Sequence, residues 1–158
     1  MVYISKIVAG DDIWEITASE TGVTGVTLQN SFVQAKENCW SRQGAEELLG
    51  YFQGERTSFS VPLDLEGTDF QKQVWSTLGE IPFGESRTYS QIAERIGKPS
   101  AVRAVANAIG RNPCLILVPC HRILGKDGSL TGFSVGLSVK KQLLKLEKIP
   151  FRKEKQRT

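Results

Sequence analysis

Cysteine and histidine stand side by side at positions 120 and 121, and His121 is the only histidine in the chain. A thiolate is a strong nucleophile. A neutral imidazole can take the thiol proton if its second ring nitrogen is held by an acceptor. Adjacent strand residues point to opposite faces, so this pair needs a turn, or a bridging water, to cooperate. Pro119 cannot donate to a ladder and supplies the turn. The apolar run at 114–118 reads as a short buried strand delivering Cys120. Glu147 is an acid in an otherwise basic, apolar segment and is the candidate acceptor for His121. Taken alone, a Cys–His dipeptide is more often a packed thiol beside a surface histidine, and these residues leave both readings open. A metal site is not expected. Cys39, Cys114, Cys120 and His121 could offer four ligands, but no C-x-x-C or H-x-x-x-H spacing occurs among them. No glycine-rich phosphate loop is present.

Charge separates the two halves of the chain. Residues 1–67 carry four basic side chains against ten acidic ones, and residues 68–158 carry sixteen against seven. No acid lies between Glu94 and Asp127, whereas Arg95, Lys98, Arg103, Arg111, Arg122 and Lys126 do. That window contains Cys120. Positive surroundings favour a thiolate and suit a polyanionic partner, most simply nucleic acid. A merely basic surface is the alternative until a DNA-binding shape is found.

The elements that must position the pair follow from local pattern. Residues 2–8, 13–19 and 23–28 are rich in β-branched and aromatic residues and read as an antiparallel meander. Residues 41–53 read as a helix with Leu48, Leu49 and Phe52 inward, and Cys39 as a packed thiol. Together these make an N-terminal α/β domain over 1–62, with a linker around 58–66. A mainly helical domain over 68–150 follows, giving an α+β chain. Thr68–Gln71 and Thr88–Gln91 have the spacing of capping boxes and open two helices. Gly97 ends the second. Ser100 is placed to cap a third, running to about Ile109. Helix, glycine turn, helix is the helix-turn-helix pattern, though a tightly packed helix pair would look the same. Ala101, Ala104, Ala106 and Ala108 keep the third helix slim. A glycine-containing loop at 129–136 suits a pocket lining. The last helix runs from Ser138 to about Lys148 with Val139, Leu143, Leu146 and Ile149 inward. A basic, frayed tail is expected over 151–158.

The segment Pro119-Cys-His-Arg122, preceded by Arg103-Ala-Val105 and Asn112-Pro113, resembles the O6-alkylguanine-DNA alkyltransferases, the methylated-DNA–protein-cysteine methyltransferases. The resemblance runs from about 68 to 149. It implies repair by irreversible transfer of the alkyl group from O6-alkylguanine to Cys120, one lesion per molecule, with O4-alkylthymine a further candidate substrate. His121 would act as base through a water, oriented by Glu147. Tyr89 would meet the DNA backbone and donate a proton toward the departing guanine. Arg103 would fill the gap left by the flipped base. Asn112 would join the recognition helix to the active-site strand, and Ser100, Ala104 and Arg122 would contact DNA. Ile109, Pro119, Phe133, Ser134 and Val135 would form the lesion pocket. The resemblance further implies docking in the minor groove of double-stranded DNA.

Two positions depart from the family pattern. Phe133 stands where many relatives have tyrosine, and Val135, where glycine is common, is expected to narrow the pocket. The zinc site of some relatives has no support in an N-terminal half without histidine. No cofactor is needed for a single thiolate displacement. A monomer in a reducing cytoplasm, with no membrane span, is expected. Two other readings compete. One is a helix-turn-helix binder or regulator without transfer, against which Cys120 itself speaks. The other is a thiol hydrolase, for which Arg103 and the basic window would have no purpose.

Overall fold

In the computed structural model, residues 1–29 and 35–152 are described. They form two compact units: Met1–Glu66 with Pro113–Leu117, and Gly67–Asn112 with Val118 onward.

In the first unit, β1 (Tyr3–Ala9), β2 (Asp12–Ala18) and β3 (Val23–Leu28) form an antiparallel sheet in the order β1-β2-β3. Helix α1 (Cys39–Phe52) covers it. A side chain at Gly44 would meet the Ile16 and Val23 methyls at 3.0 Å, so glycine there permits the close approach. The helix begins two residues earlier than its apolar pattern suggested, because Asn38 caps it: its side chain accepts from Ser41 N–H at 2.8 Å. Its inner face is Ala45, Leu48 and Tyr51, whereas Leu49 and Phe52 are only partly covered. Cys39, expected to be packed, is exposed in the first turn.

The run at 114–118 is buried, as its composition requires, but it is not a continuous strand. Cys114 makes a single parallel bridge to Val26. Ile116 then adopts φ 73°, and Leu117 N–H reaches back to Leu115 O at 2.9 Å, closing a three-residue turn. A β-branched residue at positive φ is a strained exception. Alternation of apolar types cannot register such a turn.

In the second unit, α2 (Asp69–Leu78), α3 (Tyr89–Arg95) and α4 (Val102–Gly110) pack through Val74, Trp75, Leu78, Ile92, Ala93, Val105 and Ala108. Each large apolar side chain buried here contributes roughly 1.5–3 kcal/mol. Both capping boxes form, with Thr68 and Thr88 accepting from Gln71 and Gln91. Trp75 Nε1 donates to Ala108 O at 2.8 Å and fixes α2 against α4. After α3, Gly97 turns at φ 78° while Lys98 N–H reaches Ala93 O and Gly97 N–H reaches Glu94 O. That is the Schellman closure that needs a left-handed residue. The α3–α4 pair is thereby a helix-turn-helix. Ser100 does not cap α4: Ala101 occupies that position with no side-chain hydrogen bond.

The chain continues through a 3-10 turn (Cys120–Arg122), β5 (Ile123–Leu124) and α5 (Leu137–Leu146). β5 pairs in parallel with the two-residue β4 (Arg87–Thr88). Leu124, Leu130, Leu144 and Ile149 form a second cluster, against which Leu137 and Phe151 pack. The expected fray does not begin at 151, since Arg152 N–H bonds Gly128 O at 2.8 Å. The rest of the basic tail, 153–158, lies outside the described residues. Among the described residues no helix is long and apolar enough to cross a membrane.

Candidate active site

Pro119 sets the local geometry. Its φ of −82° and ψ of 61°, with Cys120 N–H on Val118 O at 2.8 Å, make an inverse γ-turn. The 3-10 turn that follows fans Cys120, His121 and Arg122 around its axis instead of alternating them across a strand.

His121 is fully buried, and its Nε2 lies 2.5 Å from Glu147 Oε2. Burial holds the imidazole below its ordinary pKa, against the upward pull of Glu147, so it is neutral at pH 7. Nε2 then donates to the carboxylate. Nδ1 is left as the acceptor nitrogen, with no hydrogen-bond partner among the described residues.

Glu147 stands just beyond the end of α5 as its C-cap residue. Lys148 adopts φ 58° there, and Ile149 N–H and Lys148 N–H close a second Schellman turn on Leu144 O and Lys145 O. A carboxylate at a helix C-terminus faces the unfavourable end of the dipole. Four donors offset this. Arg122 Nε reaches Oε1 at 2.7 Å and Nη2 reaches Oε2 at 3.2 Å. Gly84 N–H reaches Oε1 at 3.1 Å, and His121 completes the set.

Arg122, expected at the DNA, is instead committed to the interior. It is 5 % exposed, bidentate to Glu147, and its Nη1 donates to Ile81 O at 2.7 Å. Sequence reading placed it with the basic surface because charge alone cannot tell a solvated arginine from one consumed by a buried carboxylate.

Cys120 is also buried, and burial pushes its thiol up to about 11, against a hydrogen bond from Asn112 and the charge of Lys140. The basic window does not by itself produce a resting thiolate, contrary to the charge-based expectation, because desolvation outweighs it. Deprotonation has to be coupled to a base. Asn112 is buried and donates from Nδ2 to Val118 O at 2.8 Å, bracing the turn that presents Cys120.

In front of the sulfur lies a cavity of about 340 Å³ lined by Tyr89, Ala106, Ile109, Gly110, Cys120, Gly132, Phe133 and Ser134. That volume is in the lower part of the range of small-ligand sites, ~300–1,000 Å³. Ile109, Phe133, Ser134 and Tyr89 thus meet at the thiol, while Pro119 and Val135 are not among the lining residues. The expected narrowing by Val135 has no direct contact to rest on. Arg103, Ser100 and Ala104 lie elsewhere, on a groove along the outer face of α4 with Phe70, Gln71 and Asn107. Arg103, Ala104 and Asn107 are exposed.

Two polar residues escaped the sequence reading. Lys140 is 1 % exposed and donates to Ile123 O at 2.6 Å and Thr131 Oγ1 at 3.1 Å. Thr131 Oγ1 also accepts from Tyr89 Oη at 2.8 Å. The available signal was spacing: Lys140 lies three and four residues before Leu143 and Leu144, on the apolar side of α5. Among the described residues no group of three His, Cys, Asp or Glu converges as a metal set.

A buried thiol thus faces a cavity beside a His–Glu–Arg network, in the same unit as the helix-turn-helix. The family described as "6-O-methylguanine DNA methyltransferase, DNA binding domain" matches residues 69–149. A methylated-DNA–protein-cysteine methyltransferase of Methanosarcina acetivorans is 50% identical over 126 residues, 80% of each chain. The crystal structure of the Mycobacterium tuberculosis O6-methylguanine methyltransferase superposes with a TM-score of 0.84 at 39% identity, covering 94% of this chain and 93% of that one. The Mycobacterium tuberculosis protein in complex with DNA gives 0.81 at 39% identity, over 93% and 92%. The chain belongs to the methylated-DNA–protein-cysteine methyltransferase family.

Proposed function

We propose that this protein repairs double-stranded DNA by moving the alkyl group of O6-alkylguanine, and of the chemically similar O4-alkylthymine, irreversibly onto Cys120. The observation that carries the reading is the cavity in which Cys120 meets Tyr89, Ile109, Phe133 and Ser134. His121 follows Cys120 in the same turn and is held by Glu147 through Nε2, with Nδ1 unpartnered among the described residues.

His121 takes the Cys120 proton at Nδ1, directly or through a water, and Glu147 stabilises the imidazolium through Nε2. The thiolate attacks the alkyl carbon, forming the C–S bond as the C–O6 bond breaks. Tyr89 protonates the departing base, and Ser134, from the cavity lining, hydrogen-bonds its O6. The thioether has no leaving group that a second thiol can displace, so each molecule acts once.

An O6-alkyl group inside a duplex is out of reach of a buried sulfur. The base must rotate out of the stack, at a cost of a few kcal/mol. The slim outer face of α4 fits a groove, and family resemblance assigns the minor one. Arg103 occupies the gap, and the basic half of the chain supplies sequence-independent phosphate affinity. Pro119 makes the turn that presents Cys120. The protein acts as a monomer in a compartment that keeps its three free cysteines reduced.

Arg103→Ala tests the flipping step. Single-turnover transfer from an O6-methylguanine duplex should slow about 10–100-fold, the loss of roughly 1.4–2.8 kcal/mol of support for the flipped state. Transfer from the same lesion in a single strand should change much less. Equal slowing on both substrates would remove Arg103 from base flipping.

A further inference from the structure

Tyr89, Thr131 and Lys140 form a polar line running from the cavity into the interior. Tyr89 Oη lies 2.8 Å from Thr131 Oγ1, and Lys140 Nζ lies 3.1 Å from that same oxygen. Lys140 Nζ is anchored from behind by Ile123 O at 2.6 Å, with Thr131 O at 3.4 Å. The lysine is 1 % exposed and, among the described residues, has no carboxylate in its hydrogen-bonding set, an expensive arrangement for an ammonium. The transfer chemistry set out above does not use it.

We infer that Lys140 and Thr131 act as a proton relay behind Tyr89, restoring the phenol proton that Tyr89 gives to the departing base. The inference rests on the alkyl-transfer reading and deepens it. Hydroxyl protons are free to rotate. If Thr131 turns its proton toward Tyr89, the line points outward: Lys140 Nζ–H to Thr131 Oγ1, Thr131 Oγ1–H to Tyr89 Oη, Tyr89 Oη–H to the base. As the C–O6 bond breaks, its electron pair stays on the base. Tyr89 hands over its proton, Thr131 replaces it, and Lys140 replaces that of Thr131. Lys140 ends as a neutral amine and His121 holds the former thiol proton, so proton count and charge are conserved.

Two other titratable groups act on Lys140: Cys120 favours its charged form, and the lysine's charge in turn opposes protonation of His121. Burial is the larger influence and lowers the ammonium to about 8, which makes it a far readier proton source than a surface lysine. The relay needs Lys140 protonated. Transfer should therefore slow as pH rises through about 8. At the acid side it should slow as His121 takes up a proton before the thiol can give it one.

The test is single-turnover transfer from O6-methylguanine duplex DNA across pH 6–10 with Thr131→Val, Thr131→Ser and Lys140→Met, read by intact mass on Cys120. Thr131→Val keeps the shape but not the hydroxyl. It should slow transfer about tenfold and flatten the alkaline fall, as should Lys140→Met if it folds. Thr131→Ser should restore both rate and profile. A wild-type rate and alkaline fall in Thr131→Val would overturn the relay, and so would equal slowing of the Val and Ser variants with the profile unchanged. In either case wild-type transfer to Cys120 would leave the alkyl-transfer reading standing. Absence of wild-type transfer would instead sink both.

Discussion

Glu147→Ala is expected to lower the melting temperature by roughly 6–20 °C and to slow alkyl transfer about 10²–10⁴-fold. The first figure follows from Arg122. Its guanidinium is 5 % exposed and places two of its hydrogen bonds on Glu147. Removing the carboxylate strands a buried cation, which costs about 3–5 kcal/mol, and in a chain of this size each kcal/mol moves the midpoint about 2–4 °C. The second figure is the range for losing a positioned general base, because His121 Nε2 donates to the same carboxylate and would lose its orientation. Calorimetry and single-turnover transfer read the two effects separately. Arg122→Met in the Glu147→Ala background should recover much of the stability, since the stranded charge is gone, but none of the rate. A double variant as unstable as Glu147→Ala would mean that Arg122 is not what Glu147 offsets.

Cys120→Ala is expected to abolish transfer while leaving affinity for duplex DNA within a few-fold of wild type. The thiol lines the cavity and takes no part in the outer face of α4, where Arg103, Ala104 and Asn107 are exposed. Removing one sulfur from a 6 % exposed site is a small packing change, so the variant should fold. Binding titrations at fixed salt check the affinity. A large loss of affinity would place Cys120 in the DNA-binding surface itself.

Much of this arrangement was legible from residue types. The capping boxes at Thr68 and Thr88, the stop at Gly97 and the pairing of His121 with Glu147 each depend on a few residues at fixed spacing. Those signals survive folding because they are local, or because one lone acid meets one lone histidine. What failed depended on burial. Ile116 breaks the expected strand through a left-handed turn that an apolar run does not encode. Arg122 looked like surface charge and Lys140 drew no notice, yet both are consumed inside. The thiol looked activated by a basic neighbourhood, yet desolvation dominates it. A charge count carries no information about which cations face water. Residues 153–158, read as part of a basic tail, lie outside the described structure.

The central claim is that Cys120 is a consumed reagent. It is tested most directly by incubating the protein with excess O6-methylguanine duplex, then measuring intact mass and mapping the modified peptide. Alkyl transfer predicts a single methyl increment per chain, located on Cys120, with the amount of repaired DNA never exceeding the amount of protein. Repair beyond one equivalent, or tight lesion binding with no change in mass, would contradict it.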